Sequence, residues 1–280
     1  MNTYYIDGRY VPEDEAAISV NDMIVLRGYG AFDFLRTYGG RPFFLQDHVR
    51  RLQNSTKLMG LHFPWSLSEI EAIVLETIRK NDLAECNVRI VVTGGVSADG
   101  ITPQDNASLI VMVTDVHPMR PEWYSEGAAI TTNRVERYCP EAKSTNYLAA
   151  IVALRKARAV GAVESVYVDR HDRLLEGTTS NLFLFAGDKL VTPGDGILPG
   201  VTRNVLMEVL KKEFPIEVRD VHMGELEQVA EVFLSSSNKE VMPVVRIDDC
   251  VIGAGKPGKR TRKAMRLFLE FTKAYARGGH

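Results

Sequence analysis

One kind of turn signal recurs along the chain. Asp7-Gly8, Gly39-Gly40, Gly187-Asp188 and Asp248-Asp249 each separate two short runs rich in apolar and β-branched residues, which is the pattern of a hairpin. The paired runs are 4–6 with 9–11, 32–38 with 41–45, 182–185 with 189–192, and 244–247 with 250–252. Hairpins join strands antiparallel, so these four signals point to an α+β chain rather than a parallel layered sheet. Further strands are expected at 87–92, 107–114, 128–132, 165–169 and 231–234, and helices at 46–59, 66–81, 146–159, 201–212 and 259–275. Ser66 and Glu69 stand at capping-box spacing before the second of these helices. The strand at 87–92 is apolar except for Asn87 and Arg89 and reads as covered on both faces, where a buried guanidinium needs an anionic partner. Residues 25–31 read as a glycine-rich connection carrying Arg27 and Tyr29, equally well a simple tight turn.

A chain of 280 residues is long enough for two domains with cores of their own. Pro118 and Pro121 mark a linker, giving a small α+β domain at 1–117, a linker at 118–126 and a larger domain at 127–280. A formal net charge of −2 and a pI near 6.3 provide no electrostatic footprint for nucleic acid or an anionic membrane, which leaves small-molecule chemistry as the better fit. Cys86, Cys139 and Cys250 are odd in number and widely spaced, arguing against a disulfide framework or a metal site and for a reducing cytoplasm. The N-terminus lacks a basic-then-apolar pattern and no apolar run reaches the roughly 20 residues of a membrane span, so a soluble, unexported protein is expected.

Chemistry gathers in a few stretches. Ser144 or Thr145 can cap the helix at 146–159, leaving Lys143 just outside its positive end, where an ammonium is disfavoured. Lysines biased towards the neutral amine form Schiff bases with carbonyl cofactors or substrates, although most lysines are simply solvated. Arg50 and Arg51 are adjacent on a helix and face different ways, so one can point inward. Residues 198–203 run from a loop into a helix start, where the amides of Val201 and Thr202 can bind an anion such as phosphate. Ser235, Ser236 and Ser237 place three hydroxyls at a strand end, and Glu176 ends another strand. Each of these features has an ordinary structural reading when taken alone.

Together they resemble the class IV, or fold type IV, pyridoxal-phosphate aminotransferases. The motifs stand in order as His48-x-x-Arg51-Leu52-x-x-Ser55, Lys143-x-x-Asn146-Tyr147, Glu176-Gly177-x-x-x-Asn181-x-Phe183, Gly200-Val201-Thr202-Arg203 and Ser235-Ser236-Ser237-x-x-Glu240-Val241. The resemblance implies a small α+β domain beside a larger pseudo-barrel domain, with pyridoxal 5'-phosphate in the interdomain cleft, in a homodimer. It also implies roles. Lys143 would hold the cofactor and move the substrate proton, while Glu176 would face the pyridine nitrogen. Arg51, Val201, Thr202, Ser236 and Ser237 would hold the phosphate, Leu198 would pack beneath the ring, and Tyr147 would position it. Arg27, Tyr29, Phe32, Phe34, Arg89 and Asn238 would meet the amino-acid and 2-oxo acid substrates.

Within that family the chain departs from two patterns. Phe34 stands where the branched-chain type usually has glycine, and Val92-Thr93 is followed by Gly94-Gly95 where well-known D-amino-acid enzymes have an arginine. The sequence looks closer to a D-amino-acid group in which Arg27 and Arg89 would share the substrate carboxylate. Branched-chain aminotransferase and aminodeoxychorismate lyase remain the alternatives, and a non-catalytic carrier of the cofactor fits less well because Lys143 and Glu176 are both present.

Overall fold

The computed structural model describes residues 1–279 and divides into two compact units. The first comprises Met1–His117, Ala142–Tyr147 and residues 275–279, and the second Pro118–Glu141 and Leu148–Ala274.

In the first unit, strands β1 (Thr3–Ile6), β2 (Arg9–Pro12), β3 (Gly30–Tyr38), β4 (Arg41–Pro42), β5 (Cys86–Thr93) and β6 (Leu109–Asp115) form one sheet in the order β2-β1-β6-β5-β3-β4. Every pairing in it is antiparallel. The two expected hairpins are present with two-residue turns, Ile6 opposite Arg9 and Tyr38 opposite Arg41. Asp7 and Gly8 both take positive φ, 44° and 86°, the geometry that lets a two-residue turn follow the strand twist. The expected strand at 41–45 is shorter than its pattern, because Phe44 is left-handed and helix α2 begins at the next residue.

Helix α1 (Met23–Arg27) occupies what reads in sequence as a plain glycine connection. The Asp22 carboxylate accepts from Ile24 N at its start, and Gly28 ends it at φ 64°. Helices α2 (Leu45–Met59) and α3 (Leu67–Arg79) cover one face of the sheet, and Ser66 makes the expected capping box with Glu69. Val49, Leu52, Ile70 and Val74 from the helices pack with Leu35, Val88, Ile90, Val92, Val111 and Val113 from the sheet. Truncating such a fully buried aliphatic side chain to alanine costs about 2–5 kcal/mol.

The sheet's other face carries Ile6, Phe32, Val91 and Ile110, with Phe34 and Met112 half-buried beside them. This corrects the reading of β5 as covered on both faces. Its burial alternates through Asn87 and Arg89, and Arg89 is exposed. The strand looks uniformly apolar because one face packs under helices while the other presents an apolar floor.

The second unit contains α4 (Glu122–Ser125), β7 (Ala128–Arg134), α5 (Leu148–Ala159), β8 (Glu164–Val168), β9 (Arg173–Gly177), β10 (Ser180–Ala186), β11 (Lys189–Thr192), α6 (Val201–Leu210), β12 (Ile216–Val218), β13 (Val221–His222), β14 (Glu231–Ser236), β15 (Glu240–Ile247), β16 (Cys250–Val251) and most of α7 (Lys259–Ala276). Strands β10-β14-β15-β7-β8-β9 pair in succession, and β9 pairs back onto β10, closing a ring. Two of its pairings, β15 with β7 and β7 with β8, are parallel. Ile130, Val166, Leu174, Leu182, Leu184, Val232, Leu234 and Val244 form one core, and Phe183 and Phe233 stack with centroids 4.8 Å apart. The expected pseudo-barrel is therefore present, and the remaining hairpin turns join Ala186 to Lys189 and Ile247 to Cys250.

Two boundaries differ from those read in the sequence. Residues 118–126 group with the second unit, where Tyr124 donates its hydroxyl to Lys239 O at 3.0 Å. Ala142–Tyr147 returns to the first unit because Phe32 N donates to Lys143 O and Thr145 N donates to Gly30 O, extending the β3 edge. A side-chain hydroxyl in the first case and main-chain pairing in the second are both invisible in local pattern.

Candidate active site

In the first unit the site is built on β3, on one face of α2 and on Ala142–Tyr147. His48, Arg51 and Ser55 recur at three- and four-residue spacing, so they share a helix face. Asp33, fully buried at 0% exposure on the α2 side of β3, meets that face. Arg51 donates from Nε and Nη2 to its two oxygens at 2.8 Å each, and His48 Nδ1 lies 2.6 Å from Oδ1. Burial pushes the Asp33 carboxyl up, but Arg51 and His48 outweigh it and hold the group well below the usual carboxylate range. The carboxylate is thus ionised and can only accept, which places the short contact's proton on His48 Nδ1. Burial lowers the His48 imidazole below its ordinary value, with Arg51 and Lys143 adding to this against Asp33. Its Nε2 is buried without a hydrogen-bond partner.

Lys143 is fixed from two sides. Its N donates to Ser55 Oγ at 3.0 Å, and Ser55 in turn donates to Arg51 O at 2.8 Å. Its Nζ stands 4.6 Å from the centroid of the Phe32 ring. The Arg89 guanidinium lies 5.2 Å from the same ring and 5.5 Å from that of Phe34. Arg89 is exposed and makes no ion pair among the described residues, so the buried anionic partner expected for it is not found there. Tyr147 packs edge-on against Phe32 with centroids 5.4 Å apart.

The expected capping of Lys143's helix is not found. Helix α5 starts only at Leu148, more than a turn further on. The Thr145 hydroxyl instead donates to Gly28 O and Gly30 O. Lys143 is placed by strand-edge pairing rather than by a helix dipole. The apolar spacing after it is helical, but Leu148 and Ile151 are 70% and 60% exposed while Ala150, Ala153 and Ala157 face inward.

Arg27 is exposed at the end of α1 and donates to Leu26 O. Tyr29 donates its hydroxyl to Met59 O at 2.8 Å, and a β-carbon on Gly94 would lie 2.6 Å from the Tyr29 ring. That close approach keeps any side chain out of position 94.

In the second unit, Glu176 ends β9 nearly buried. It accepts from Arg137, from Leu198 N at 3.0 Å and from Asn181 Nδ2 at 3.3 Å. Asn181 lies opposite Glu176 across the hairpin and also donates to Leu198 O at 2.9 Å, tying the strand ends to the loop before α6. Gly200 is the N-cap of α6 with no side-chain cap, so the first amides of this helix, Val201 and Thr202 among them, suit an anion. Ser236 donates to Asn238 Oδ1 at 2.9 Å, while Ser237 follows it half-buried and the Ser235 hydroxyl is buried without a partner.

Asp33, Arg137 and the pair Glu164–Lys239 are the residues that motif reading passes over. Glu164 is fully buried, accepts from the hydroxyls of Thr178, Thr179 and Ser180, and pairs with Lys239 at 3.0 Å. Burial raises its carboxyl, and Lys239 and the hydroxyls more than offset that. The network fixes the turn after Glu176 to the one after Ser237. The available signal was a carboxylate among apolar neighbours, Asp33 between Phe32 and Phe34 in β3 and Glu164 at the start of β8.

The chain is similar to known proteins over nearly its whole length. The family model for amino-transferase class IV matches residues 30–247. A putative branched-chain-amino-acid aminotransferase of Methanocaldococcus jannaschii is 33% identical over 275 residues, covering 95% of each chain. A D-alanine aminotransferase of Listeria monocytogenes is 29% identical, covering 95% of this chain and 94% of its own. Among solved structures, a branched-chain amino acid aminotransferase of T.th. with pyridoxamine 5'-phosphate superposes with a TM-score of 0.90 at 25% identity, covering 100% of this chain and 95% of its own. The Escherichia coli branched-chain amino acid aminotransferase, at 23% identity and a TM-score of 0.92 over 98% of this chain and 95% of its own, shares the fold. With the closed ring of strands and the ordered Lys143, Glu176 and Gly200 motifs already established, these matches place the chain in the class IV aminotransferase family, as a transaminase whose cofactor is pyridoxal 5'-phosphate.

Proposed function

We propose that this transaminase moves the amino group of an amino acid to a 2-oxo acid in two half-reactions, with D-amino acids as preferred donors. One observation carries the reading: the Phe32 ring has Lys143 Nζ on it at 4.6 Å and the Arg89 guanidinium at 5.2 Å. A substrate whose nitrogen reaches Lys143 along this floor brings its α-carboxylate towards a guanidinium with no ion-pair partner among the described residues.

The residues present suit the cofactor. On the family resemblance, its phosphate would take the guanidinium of Arg51, the amides of Val201 and Thr202 and the hydroxyls of Thr202, Ser236 and Ser237, while Glu176 would serve the ring nitrogen, Leu198 would pack on the ring and Tyr147 would position it. When bound, the cofactor supplies an electron sink for the carbon that loses its proton. Lys143 acts as the general base and then the general acid for that proton. Glu176, anchored by Arg137, Asn181 and Leu198 N, carries the negative charge that favours a protonated ring nitrogen.

The D preference rests on the carboxylate's side of the pocket. Gly94 leaves no room for a side chain beside Tyr29, so Arg89 takes the carboxylate, joined by Arg27 from a second copy of the chain, with Tyr29, Phe34 and Asn238 bounding the substrate. A homodimer fits the apolar exposure around Arg27, where Val20 is 73% and Val25 55% exposed. The free thiols of Cys86, Cys139 and Cys250 suit a reducing cytoplasm. A branched-chain L-amino-acid donor is the second reading, favoured by the apolar floor of Ile6, Phe32, Val91 and Ile110.

Half-reaction spectra with D- and L-amino acids and (R)-amines test this. Arg89→Ala should weaken amino-acid use by on the order of 2–5 kcal/mol in kcat/KM while sparing an amine without a carboxylate. Equal losses for both would make Arg89 structural. Rapid turnover of L-leucine with none of D-alanine or D-glutamate would give the second reading.

A further inference from the structure

We propose that Asp33 is a positioning residue for the cofactor's phosphate, acting through Arg51. The inference rests on the reading above that Arg51 receives that phosphate. An arginine side chain has several rotatable bonds, and one that is solvated samples many orientations of its fork. Arg51 does not, because Nε and Nη2 both lie on the oxygens of one carboxylate at 2.8 Å, which sets the guanidinium plane. The carboxylate itself cannot turn away. Asp33 sits at 0% exposure in β3 between Phe32 and Phe34, its Oδ1 is shared with His48 Nδ1 at 2.6 Å, and its own chain neighbour Phe34 N donates to it at 2.7 Å.

A buried carboxylate is costly unless fully engaged, so its presence in an apolar strand calls for a function that an apolar residue could not serve. The helix face that carries His48 and Arg51 also carries Ser55, whose hydroxyl holds the main chain of Lys143. Asp33 therefore registers the phosphate's guanidinium to the same helix turn that places the catalytic lysine. A change at Asp33 should be felt at the phosphate end of the cofactor and not at its aldehyde end.

The test compares pyridoxal 5'-phosphate with pyridoxal, which lacks the phosphate, in titrations of the full-length apoenzyme followed by absorbance and tryptophan fluorescence. Asp33→Asn should weaken pyridoxal 5'-phosphate binding by roughly 10- to 100-fold and leave pyridoxal binding unchanged. Arg51→Ala should erase the preference for the phosphorylated form, and the double variant should be no worse than Arg51→Ala alone. If Arg51→Ala keeps the preference, the phosphate reading of Arg51 fails and Asp33 loses its role with it. If Arg51→Ala loses the preference but Asp33→Asn does not, Arg51 stands and the proposal for Asp33 is overturned. Should Asp33→Asn not fold, Arg51→Lys supplies the same decision. Its single ammonium pairs with Asp33, so it should bind the phosphorylated form no better than Arg51→Ala, and wild-type binding would overturn the proposal.

Discussion

Gly200 and Asn181 approach so closely that a β-carbon on Gly200 would lie 1.9 Å from Asn181 Oδ1. The glycine's φ of −68° is open to any residue, so the requirement is space and not backbone freedom. Gly200→Ala should displace the Asn181 amide from Leu198 O and Glu176. The expected cost is about 1–3 kcal/mol, read from the shift in a urea midpoint, with weakened cofactor retention after dialysis. A variant as stable as the parent, with its cofactor retained, would show that the loop simply moves aside.

Glu176→Gln should keep the cofactor bound and lose turnover by roughly 100- to 1000-fold. An amide retains the shape of the carboxylate but brings no charge to the ring nitrogen, and it leaves Arg137 without its counter-ion. Steady-state kinetics beside an absorbance measurement of bound cofactor separates the two effects. Near-normal turnover would remove Glu176 from the chemistry.

Borohydride reduction of the purified enzyme, followed by peptide mapping, should place the cofactor on Lys143 alone. A tag on another lysine, such as the buried Lys239, would move the centre of the site.

Stability should fall on mild acidification because of His48. Burial holds its imidazole below the ordinary value of 6.5, so near that value the unfolded chain takes up a proton that the folded chain does not. Its contribution is therefore fully present above about 6.5 and declines below it, by at most about 1.4 kcal/mol per pH unit. Asp33, with its carboxyl held below the usual range, contributes through the same interval and is lost only in stronger acid. His48→Gln should flatten the difference between urea midpoints at about pH 7.5 and about pH 5.5. An unchanged difference would assign the acid sensitivity to other groups.

What was legible in the sequence was local. Asp7-Gly8 and Gly39-Gly40 carry their turn geometry in two residues, and Ser66 with Glu69 caps a helix within four. The motifs around Arg51, Lys143, Glu176 and Gly200 are short and ordered, so family and cofactor followed from them. What was missed depends on residues far apart in the chain. The start of α5 was misplaced because the Thr145 hydroxyl is taken by carbonyls at Gly28 and Gly30, over a hundred residues earlier. Arg89 was expected to be buried because strand composition does not reveal which face lacks a helix. Asp33 carried no signal in its own strand, because its partners His48 and Arg51 lie 15 and 18 residues further on.

The placement of Ala142–Tyr147 against β3 also governs how the chain can come together during synthesis. Residues 1–117 emerge from the ribosome first, but the main-chain groups of Gly30 and Phe32 wait for partners at Thr145 and Lys143. The earlier-made sheet is left with an incomplete edge while more than twenty further residues are added, and unpaired edges invite pairing with other chains. A fragment ending at 117 inherits that edge permanently, and neither contiguous half of the protein can place Lys143 on its own.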